Sequence, residues 1–166
     1  PEVAWGSSGK LRGAKGSAYE GGSRVPCIIR WPGKVPKDKV SNAIFATLDW
    51  MPTFGTLANY DVPSDRIIDG VDQTSLLLGF SKLGARETFF YDQVKKNTVG
   101  VRSGKWKLLA PGRRPKTTQG HYYLKDFGSN DYELYDLEKD PGERKNVVRK
   151  HPDVVRGLAL LLKGAQ

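Results

Sequence analysis

The stretch LRGAKGSAYEGGSRVP, residues 11–26, constrains the fold more than any other part of the sequence, because four of its residues are glycine. Glycine adopts backbone conformations with positive φ and lets another group approach the backbone closely. Lys15 lies between Gly13 and Gly16, so its ammonium group can point into a cleft instead of into bulk water. Its three donors suit one oxygen of a sulfate or phosphate.

The residues after the lysine offer groups that could brace such a loop from behind. Tyr19, Glu20 and Arg24 follow within nine positions of Lys15. The alternative is a surface loop with a solvated lysine, and composition alone does not choose between the two.

The first half of the chain predicts a strand followed by a helix. VPCIIRW, residues 25–31, is a short run with β-branched residues, and a turn follows it. Cys27 is the only cysteine, so the chain has no internal disulfide, and within this strand it is predicted to be a small core side chain. Residues 41–59 have a helical pattern, with Asp49 as the predicted N-cap and Pro52 in the first turn. The predicted apolar face consists of Met51, Phe54, Leu57 and Ala58.

The pattern changes near residues 80–86, where we predict a boundary between domains 1–83 and 84–166. The segments ETFFYDQV and TVGVRSGKWKLLA predict three strands, with a hairpin at Ser103-Gly104. YELYDLEKDPGERKNV predicts a short strand followed by a turn, and HPDVVRGLALLLKG predicts a final helix. The apolar stripe of that helix is predicted to be Val154, Val155, Leu158, Leu161 and Leu162.

The chain is strongly basic, with a formal net charge of +9 over 166 residues. Such a charge fits either a solvated basic surface or an anionic partner, such as a nucleic acid, a membrane surface or a sulfated or phosphorylated substrate. No apolar run approaches the ~20 residues that a membrane-spanning helix requires. We therefore expect no transmembrane segment.

Five blocks in order along the chain resemble those of the sulfatase family, of the arylsulfatase A and N-acetylgalactosamine-6-sulfatase type. Residues 11–26 resemble the family stretch Leu-Arg-Gly-x-Lys-x-x-x-(Tyr/Trp)-Glu-Gly-Gly-x-Arg-Val-Pro. The segments ATLDWMPTFGTLA, DGVDQTSLLLG, VRSGKWKLL and ELYDLEKDPGERKNV are similar to four later blocks, although Asp72-Gln73-Thr74 departs from the usual serine pattern. One block would be weak evidence, whereas five in the family order are specific.

The resemblance implies an α/β fold: the C-terminal part of an alkaline-phosphatase-like sandwich, plus a small α+β subdomain of antiparallel strands with one covering helix. It also implies hydrolysis of sulfate esters on a sulfated small molecule or glycan, with no nucleic acid as partner. In this family a formylglycine hydrate attacks sulfur and a calcium ion polarises the sulfate. Such enzymes are periplasmic, secreted or lysosomal.

By its position in the motif, Lys15 corresponds to the family lysine that contacts the substrate sulfate, and Glu20 and Arg24 would support it. His121, in TTQGHYYLKD, is a second candidate for substrate contact, because some relatives place a histidine from a C-terminal loop over the substrate; the alternative is a surface histidine. The basic segment GRRPK could help bind a polyanionic glycan or be solvated.

Neither the nucleophile nor the metal ligands are expected among these residues. Cys27 lacks the proline two positions later that the Cys/Ser-x-Pro-x-Arg motif requires. No aspartates have the spacing of a calcium site, so the calcium ligands and the formylglycine are expected upstream. The chain in isolation should then have no catalytic activity.

Two other functions remain open from the sequence. The chain could be a basic, non-catalytic module for glycans or nucleic acids, since aromatic and basic residues alternate at Lys105-Trp106-Lys107. Against that, the basic residues are scattered and no nucleic-acid-binding motif is present. It could also belong to a phosphate or phosphonate ester hydrolase of the same superfamily.

Overall fold

The computed structural model describes residues 7–15, 17–93, 97–111 and 131–165. The chain divides into two compact units. One unit is Cys27–Phe89, and the other joins the described residues up to Pro26 with those from Phe90 onward. The glycine-rich stretch therefore belongs to the same unit as the C-terminal strands. The domain division at residues 83 and 84 stays a prediction.

Within the described residues, four strands form one sheet in the order β1 (Thr88–Gln93), β2 (Asn97–Ser103), β3 (Trp106–Leu109) and β4 (Glu133–Asp136). β3 is antiparallel to both β2 and β4. Ser103 is paired with Trp106, which confirms the predicted hairpin. Gly104 has a φ of +54° in its turn, a conformation that side chains with a Cβ disfavour.

The two faces of this sheet have different chemistry, because successive side chains in a strand point to opposite faces. On one face, Leu108 is paired with Val101 and Leu134. On the other face, the neighbouring Lys107 is paired with Arg102 and Tyr135. One face is thus apolar and the other carries charged and hydroxyl groups.

The α-helices in the described part of the chain are α1 (Glu20–Ser23), α2 (Trp50–Leu57), α3 (Thr74–Leu77) and α4 (Pro152–Gly164). Helix α4 covers the apolar face of the sheet. Pro152 fits the first turn of α4, because N–H groups there have no acceptor within the helix and the missing one costs nothing. Asp153 complements the positive end of the helix dipole. Leu158 and Leu162 pack against the sheet core, and each contributes about 1.5–3 kcal/mol by burial. The predicted helix is confirmed, except that Leu161 in the predicted stripe is 45% exposed.

In the unit Cys27–Phe89, helices α2 (Trp50–Leu57) and α3 (Thr74–Leu77) surround a buried aspartate. Asp49 is the N-cap residue of α2, as predicted, but its side chain makes no capping hydrogen bond to that helix. Its carboxylate instead accepts the N–H groups of Ala46 at 2.8 Å and Val71 at 3.0 Å, and it pairs with Arg86. Burial alone would raise the pKa of Asp49, but these hydrogen bonds and the arginine lower it.

The predicted apolar face of α2 is also wrong in part. Met51 and Phe54 are 53% and 56% exposed, while the buried positions are Pro52, Thr53 and Gly55. Thr53 is buried because its hydroxyl donates to the Asp49 carbonyl and accepts the N–H of Gln73. Hydrogen bonding, and not apolar periodicity, orients this helix.

The predicted buried strand at residues 25–31 is absent from the structure. Residues 24–30 have no regular structure, and Cys27 is exposed, as are Val25 at 75% and Ile28 at 93%. A strand needs a neighbour that accepts and donates its backbone hydrogen bonds, and no described residue pairs with this segment. The turn after it is confirmed, since the N–H of Lys34 donates to the carbonyl of Trp31.

Within the described residues, no helix combines the length and the apolar character that crossing a membrane requires.

Candidate functional site

The glycine-rich stretch forms a closed loop that lies on the charged face of the sheet. The N–H of Gly21 donates to the carbonyl of Arg12 at 2.7 Å, which joins the two ends of the loop. At its far end, the N–H of Ser17 donates to the carbonyl of Ala14 at 2.9 Å, which makes a tight turn around Lys15. Gly13 has a φ of +78° where the chain enters this turn.

The paired glycines after Glu20 are required by the close approach of the two loop ends. A Cβ added to Gly21 would lie 2.4 Å from the carbonyl oxygen of Gly13 and 2.5 Å from that of Arg12. A Cβ on Gly22 would lie 2.2 Å from the carbonyl oxygen of Ser17. Because these neighbours are backbone atoms, they cannot move aside as the end of a flexible side chain can. The Glu-Gly-Gly sequence therefore closes the loop that carries Lys15.

Lys15 is exposed at the turn of this loop. It forms no ion pair with any residue in the described part of the chain.

An upstream anchor, formed by Arg12, Tyr19, Glu133 and Tyr135, attaches the loop to β4. Arg12 donates to the hydroxyl of Tyr135 at 2.9 Å, and its guanidinium carbon lies 3.9 Å from the centre of the Tyr19 ring. The hydroxyls of Tyr19 and Tyr135 both donate to Oε2 of Glu133. Burial, and then the hydrogen bond to Glu133, raises the pKa of each tyrosine, so both hydroxyls keep their protons.

A downstream anchor, formed by Glu20, Lys107, Glu143 and Tyr91, attaches the other end of the loop to β1 and β3. Nζ of Lys107 lies 3.0 Å from Oε1 of Glu20 and 2.8 Å from Oε1 of Glu143. The first contact is a hydrogen bond, and the second is a fully buried ion pair. Glu143 also accepts the backbone N–H of Glu20 at 2.6 Å, and Tyr91 donates to Glu20 at 2.9 Å.

The two carboxyl groups of the downstream anchor have pKa values shifted in opposite directions. Burial alone would raise the pKa of Glu20, but Lys107, Tyr91 and the more distant Arg102 lower it. For Glu143 burial prevails and the pKa is raised, although Lys107 opposes that effect. Both carboxyl groups contact the ammonium of Lys107, and Glu20 has Tyr91 and Arg102 as additional partners.

The structure brings some of the sequence-predicted residues together and leaves others apart. Tyr19 contacts Glu133 and Glu20 contacts Lys107, while the role of these residues in supporting Lys15 stays a prediction. Arg24 is exposed and its side chain forms no ion pair with another described residue, so its supporting role stays a prediction. His121 and the GRRPK segment lie outside the described residues, and their roles also stay predictions.

Sequence reasoning missed the partners supplied by the strands. Lys107 and Glu143 lie in blocks that carried the family resemblance, yet they were interpreted only as a strand and a turn. The sequence did contain a signal for Lys107, because successive side chains of a strand point to opposite faces of the sheet. Lys107 must therefore lie on the face opposite Trp106 and Leu108, together with Leu109. Nothing in the local sequence indicated that this face is buried.

No cluster of three or more histidine, cysteine, aspartate or glutamate side chains in the described ranges could hold a metal ion. The carboxylates near the loop, Glu20, Glu133 and Glu143, are already engaged by Lys107, by tyrosine hydroxyls or by backbone N–H groups. These residues do not fit the calcium ion that the family resemblance implies, and we derive no step from a metal in this chain.

The chain is similar to known proteins over most of its length. The family model for N-sulphoglucosamine sulphohydrolase, C-terminal, matches residues 14–163. An N-acetylgalactosamine-6-O-sulfatase of Bacteroides thetaiotaomicron is 37% identical over 160 residues, covering 95% of this chain and 30% of that protein. Human arylsulfatase A is 35% identical over 170 residues, covering 94% of this chain and 33% of that protein.

Two solved structures extend the likeness to the fold. One, described within glycosaminoglycan metabolism by Bacteroides thetaiotaomicron, superimposes with a TM-score of 0.78 at 34% identity over 94% of this chain and 32% of its own. Another, a complex with its substrate D-glucosamine-2-N,6-O-disulfate, has a TM-score of 0.57 at 26% identity over 84% of this chain and 27% of its own. The chain thus spans about a third of the length of these relatives. It belongs to the sulfatase family, within which its sheet and covering helix form an α/β C-terminal subdomain.

Proposed function

We propose that the protein containing this chain hydrolyses sulfate esters, and that this chain contributes Lys15 as a cationic contact to the sulfate group. The observation that supports the proposal most directly is the exposed lysine on a loop whose two ends are fixed by buried charged groups. Within the sulfatase family such a lysine has a defined use, because the sulfate ester is an anion.

The chemical role of Lys15 is electrostatic. Negative charge increases on the leaving oxygen and the sulfate oxygens as the S–O bond breaks, and a fixed ammonium group lowers the energy of that state. A lysine next to an anion stays protonated, so it is a poor general base and an effective charge partner. Fixed ends reduce the reorganisation that the loop must undergo during the reaction.

We propose that the formylglycine and the calcium ligands lie in residues that precede this chain in the full-length protein. The formylglycine would supply the attacking group, and the calcium ion would orient it and polarise the sulfate. The proposal rests on the family resemblance and on the share of the relatives' length that the chain covers.

The proposed substrate is a sulfated small molecule or a sulfated glycan. Support comes from the names of relatives: one acts on N-acetylgalactosamine 6-O-sulfate groups, and one was solved with a disulfated glucosamine as its substrate. The net charge of +9 favours the approach of a polyanionic substrate over that of a neutral substrate.

The test is hydrolysis of paired esters by the full-length protein. We expect 4-nitrophenyl sulfate to be hydrolysed at least tenfold faster than 4-nitrophenyl phosphate. Lys15→Arg should lose most of that activity, since a planar guanidinium is larger and directs its donors differently. Faster phosphate hydrolysis would instead support a phosphoester hydrolase. No hydrolysis of either ester, with retention on heparin that declines steeply with salt, would support a binding module.

A further inference from the structure

We propose that Lys107 is a positioning residue: its buried ammonium fixes Glu20 and Glu143, and through them the loop that presents Lys15. The proposal rests on the proposed function, because it concerns how the lysine that contacts sulfate is held. Lys107 itself is far from solvent, with no exposed side-chain surface, so it acts through other residues and not on substrate.

Stability alone is a poor explanation for this group of charges. Lys107 and Glu143 are fully buried, and Glu20 is 2% exposed. Removing charges from water has a large free-energy cost, and apolar residues of the same volume often stabilise a fold as well or better. The buried network of Lys107, Glu20 and Glu143 is better explained by the loop conformation that it specifies.

The backbone at Glu143 supports the same conclusion. Its φ is +51°, in the left-handed region that glycine adopts freely and glutamate does not. A residue strained in this way persists where its surroundings hold it in place. The side chain of Glu143 is held by its ion pair with Lys107 and by the N–H of Glu20 that it accepts. Its backbone is held as well, since its N–H donates to the Asp140 carbonyl and its own carbonyl accepts from Arg12.

The network controls both the side chain and the backbone of Glu20. Lys107 binds the Glu20 carboxylate directly, and it also binds Glu143, which accepts the Glu20 N–H. The next residue, Gly21, makes the hydrogen bond that closes the loop on Arg12. One ammonium therefore determines where the loop ends, five residues after Lys15.

Removing that ammonium would leave two carboxylates next to each other. Among the described residues, three groups would then face the Glu20 carboxylate: Glu143, Arg102 at 3.8 Å and the hydroxyl of Tyr91. Arg102 is too far away to replace a direct contact with both carboxylates. Repulsion between Glu20 and Glu143 would move the loop end, and a displacement of about 1 Å at a reacting group can lower a rate about 100-fold.

A double-mutant cycle in the full-length protein tests whether Lys107 acts through Lys15. The variants are Lys107→Met, Lys15→Ala and their combination, with kcat for 4-nitrophenyl sulfate as the measurement. We expect Lys107→Met to lower kcat about 10–100-fold, and the double variant to be no more than about threefold slower than Lys15→Ala. If the losses in kcat of the two single variants instead multiply in the double variant, the positioning role of Lys107 is overturned.

The matched control is Arg86→Met, which removes the cation from another buried ion pair, with Asp49 in the unit Cys27–Phe89. Any loss in kcat that Arg86→Met causes should multiply with that of Lys15→Ala, since the hydrogen bonds and ion pair of Arg86 to other described residues all lie within its own unit. Equal non-additivity in the control would overturn the proposal, because the effect would then be a general consequence of lost stability.

Amide hydrogen exchange provides a readout that does not depend on catalysis. In Lys107→Met the amides of Ser17, Gly21 and Gly22 should exchange at least tenfold faster, while the amides of Leu108 and Leu109 in β3 change less. Uniform acceleration across the loop and the strand would overturn the proposal. Should Lys107→Met not fold, Glu20→Gln replaces it in both experiments, with the same expected pattern and a smaller effect.

The two proposals fail in different ways. If Lys15→Ala leaves kcat unchanged, the sulfate contact is refuted, and the positioning role with it, even where exchange is faster in the loop. If Lys15→Ala lowers kcat but the losses multiply, only the role of Lys107 is refuted.

Discussion

Gly21→Ala is the substitution that tests the closed loop most severely. The new methyl group would lie 2.4 Å from the carbonyl oxygen of Gly13 and 2.5 Å from that of Arg12. Both atoms belong to the backbone, and Arg12 is held by Tyr135 and by the carbonyl of Glu143. The loop must therefore open at the point where its two ends meet.

The expected destabilisation combines two contributions. Overpacking in a close contact costs about 1–3 kcal/mol. The hydrogen bond from the Gly21 N–H to the Arg12 carbonyl, 2.7 Å long in the structure, contributes about 1 kcal/mol when it is lost. We expect the free energy of unfolding to decrease by about 2–4 kcal/mol.

Gly157→Ala is the matched control, since it makes the same change in the same unit. Gly157 lies in the interior of α4, and a Cβ there would meet nothing within 4 Å. Alanine should stabilise that helix by about 0.5–1 kcal/mol. The assay is urea denaturation of the full-length variants. Equal stability of Gly21→Ala and the wild type would refute the close approach of the loop ends.

Three further substitutions test the packing and the charges around the loop. Leu158→Ala should lower the free energy of unfolding by about 2–5 kcal/mol in urea denaturation, because Leu158 is only 5% exposed. Leu160 is 65% exposed, so Leu160→Ala should change the free energy of unfolding far less. Comparable losses in the two variants would contradict the orientation of α4. Tyr135→Phe should cost about 1 kcal/mol, measured in the same way, since it removes hydrogen bonds to Arg12 and Glu133; no loss would contradict the upstream anchor. The pKa of Glu20 is lowered on folding, so its contribution is complete above the ordinary glutamate value of 4.5 and declines as the pH falls through the lowered folded pKa. Unfolding followed from pH 6 to pH 2 should therefore show a smaller loss of stability in Glu20→Gln than in the wild type, and an identical loss would contradict the ion pair.

The elements predicted from the sequence are those that local signals determine. The Ser103-Gly104 hairpin needs a backbone conformation that favours glycine, and the structure has Gly104 at a positive φ. Helix α4 has a proline at its start and apolar residues at helical spacing. Both signals act within a few residues, so they do not depend on the rest of the molecule.

The wrong predictions concern residues whose environment comes from distant parts of the chain. VPCIIRW has the composition of a buried strand, but no described residue pairs with it. Asp49 has the position of a helix cap, but its carboxylate binds Arg86, which lies 37 residues later. A local pattern cannot distinguish a cap from a buried ion pair, because the distant partner decides which one forms.

For the candidate site, the residue types and their order were predictable, and the network beneath them was not. Lys15 and Glu20 were identified from a family motif and from glycine chemistry. Lys107 and Glu143 contact Glu20 across 87 and 123 residues. Only the fold places these charged groups together.

The central claim is that Lys15 is a cation presented to the sulfate by a fixed loop. Its most direct test compares kcat for 4-nitrophenyl sulfate between Lys15→Ala and Lys10→Ala in the full-length protein, since both lysines are exposed and close in sequence. Removing one group that stabilises transition-state charge costs about 10²–10³-fold in kcat, so Lys15→Ala should lose that much with little change in thermal stability. Lys10→Ala should stay within about threefold of the wild type. Unimpaired turnover in Lys15→Ala, or an equal loss in both variants, would contradict the account.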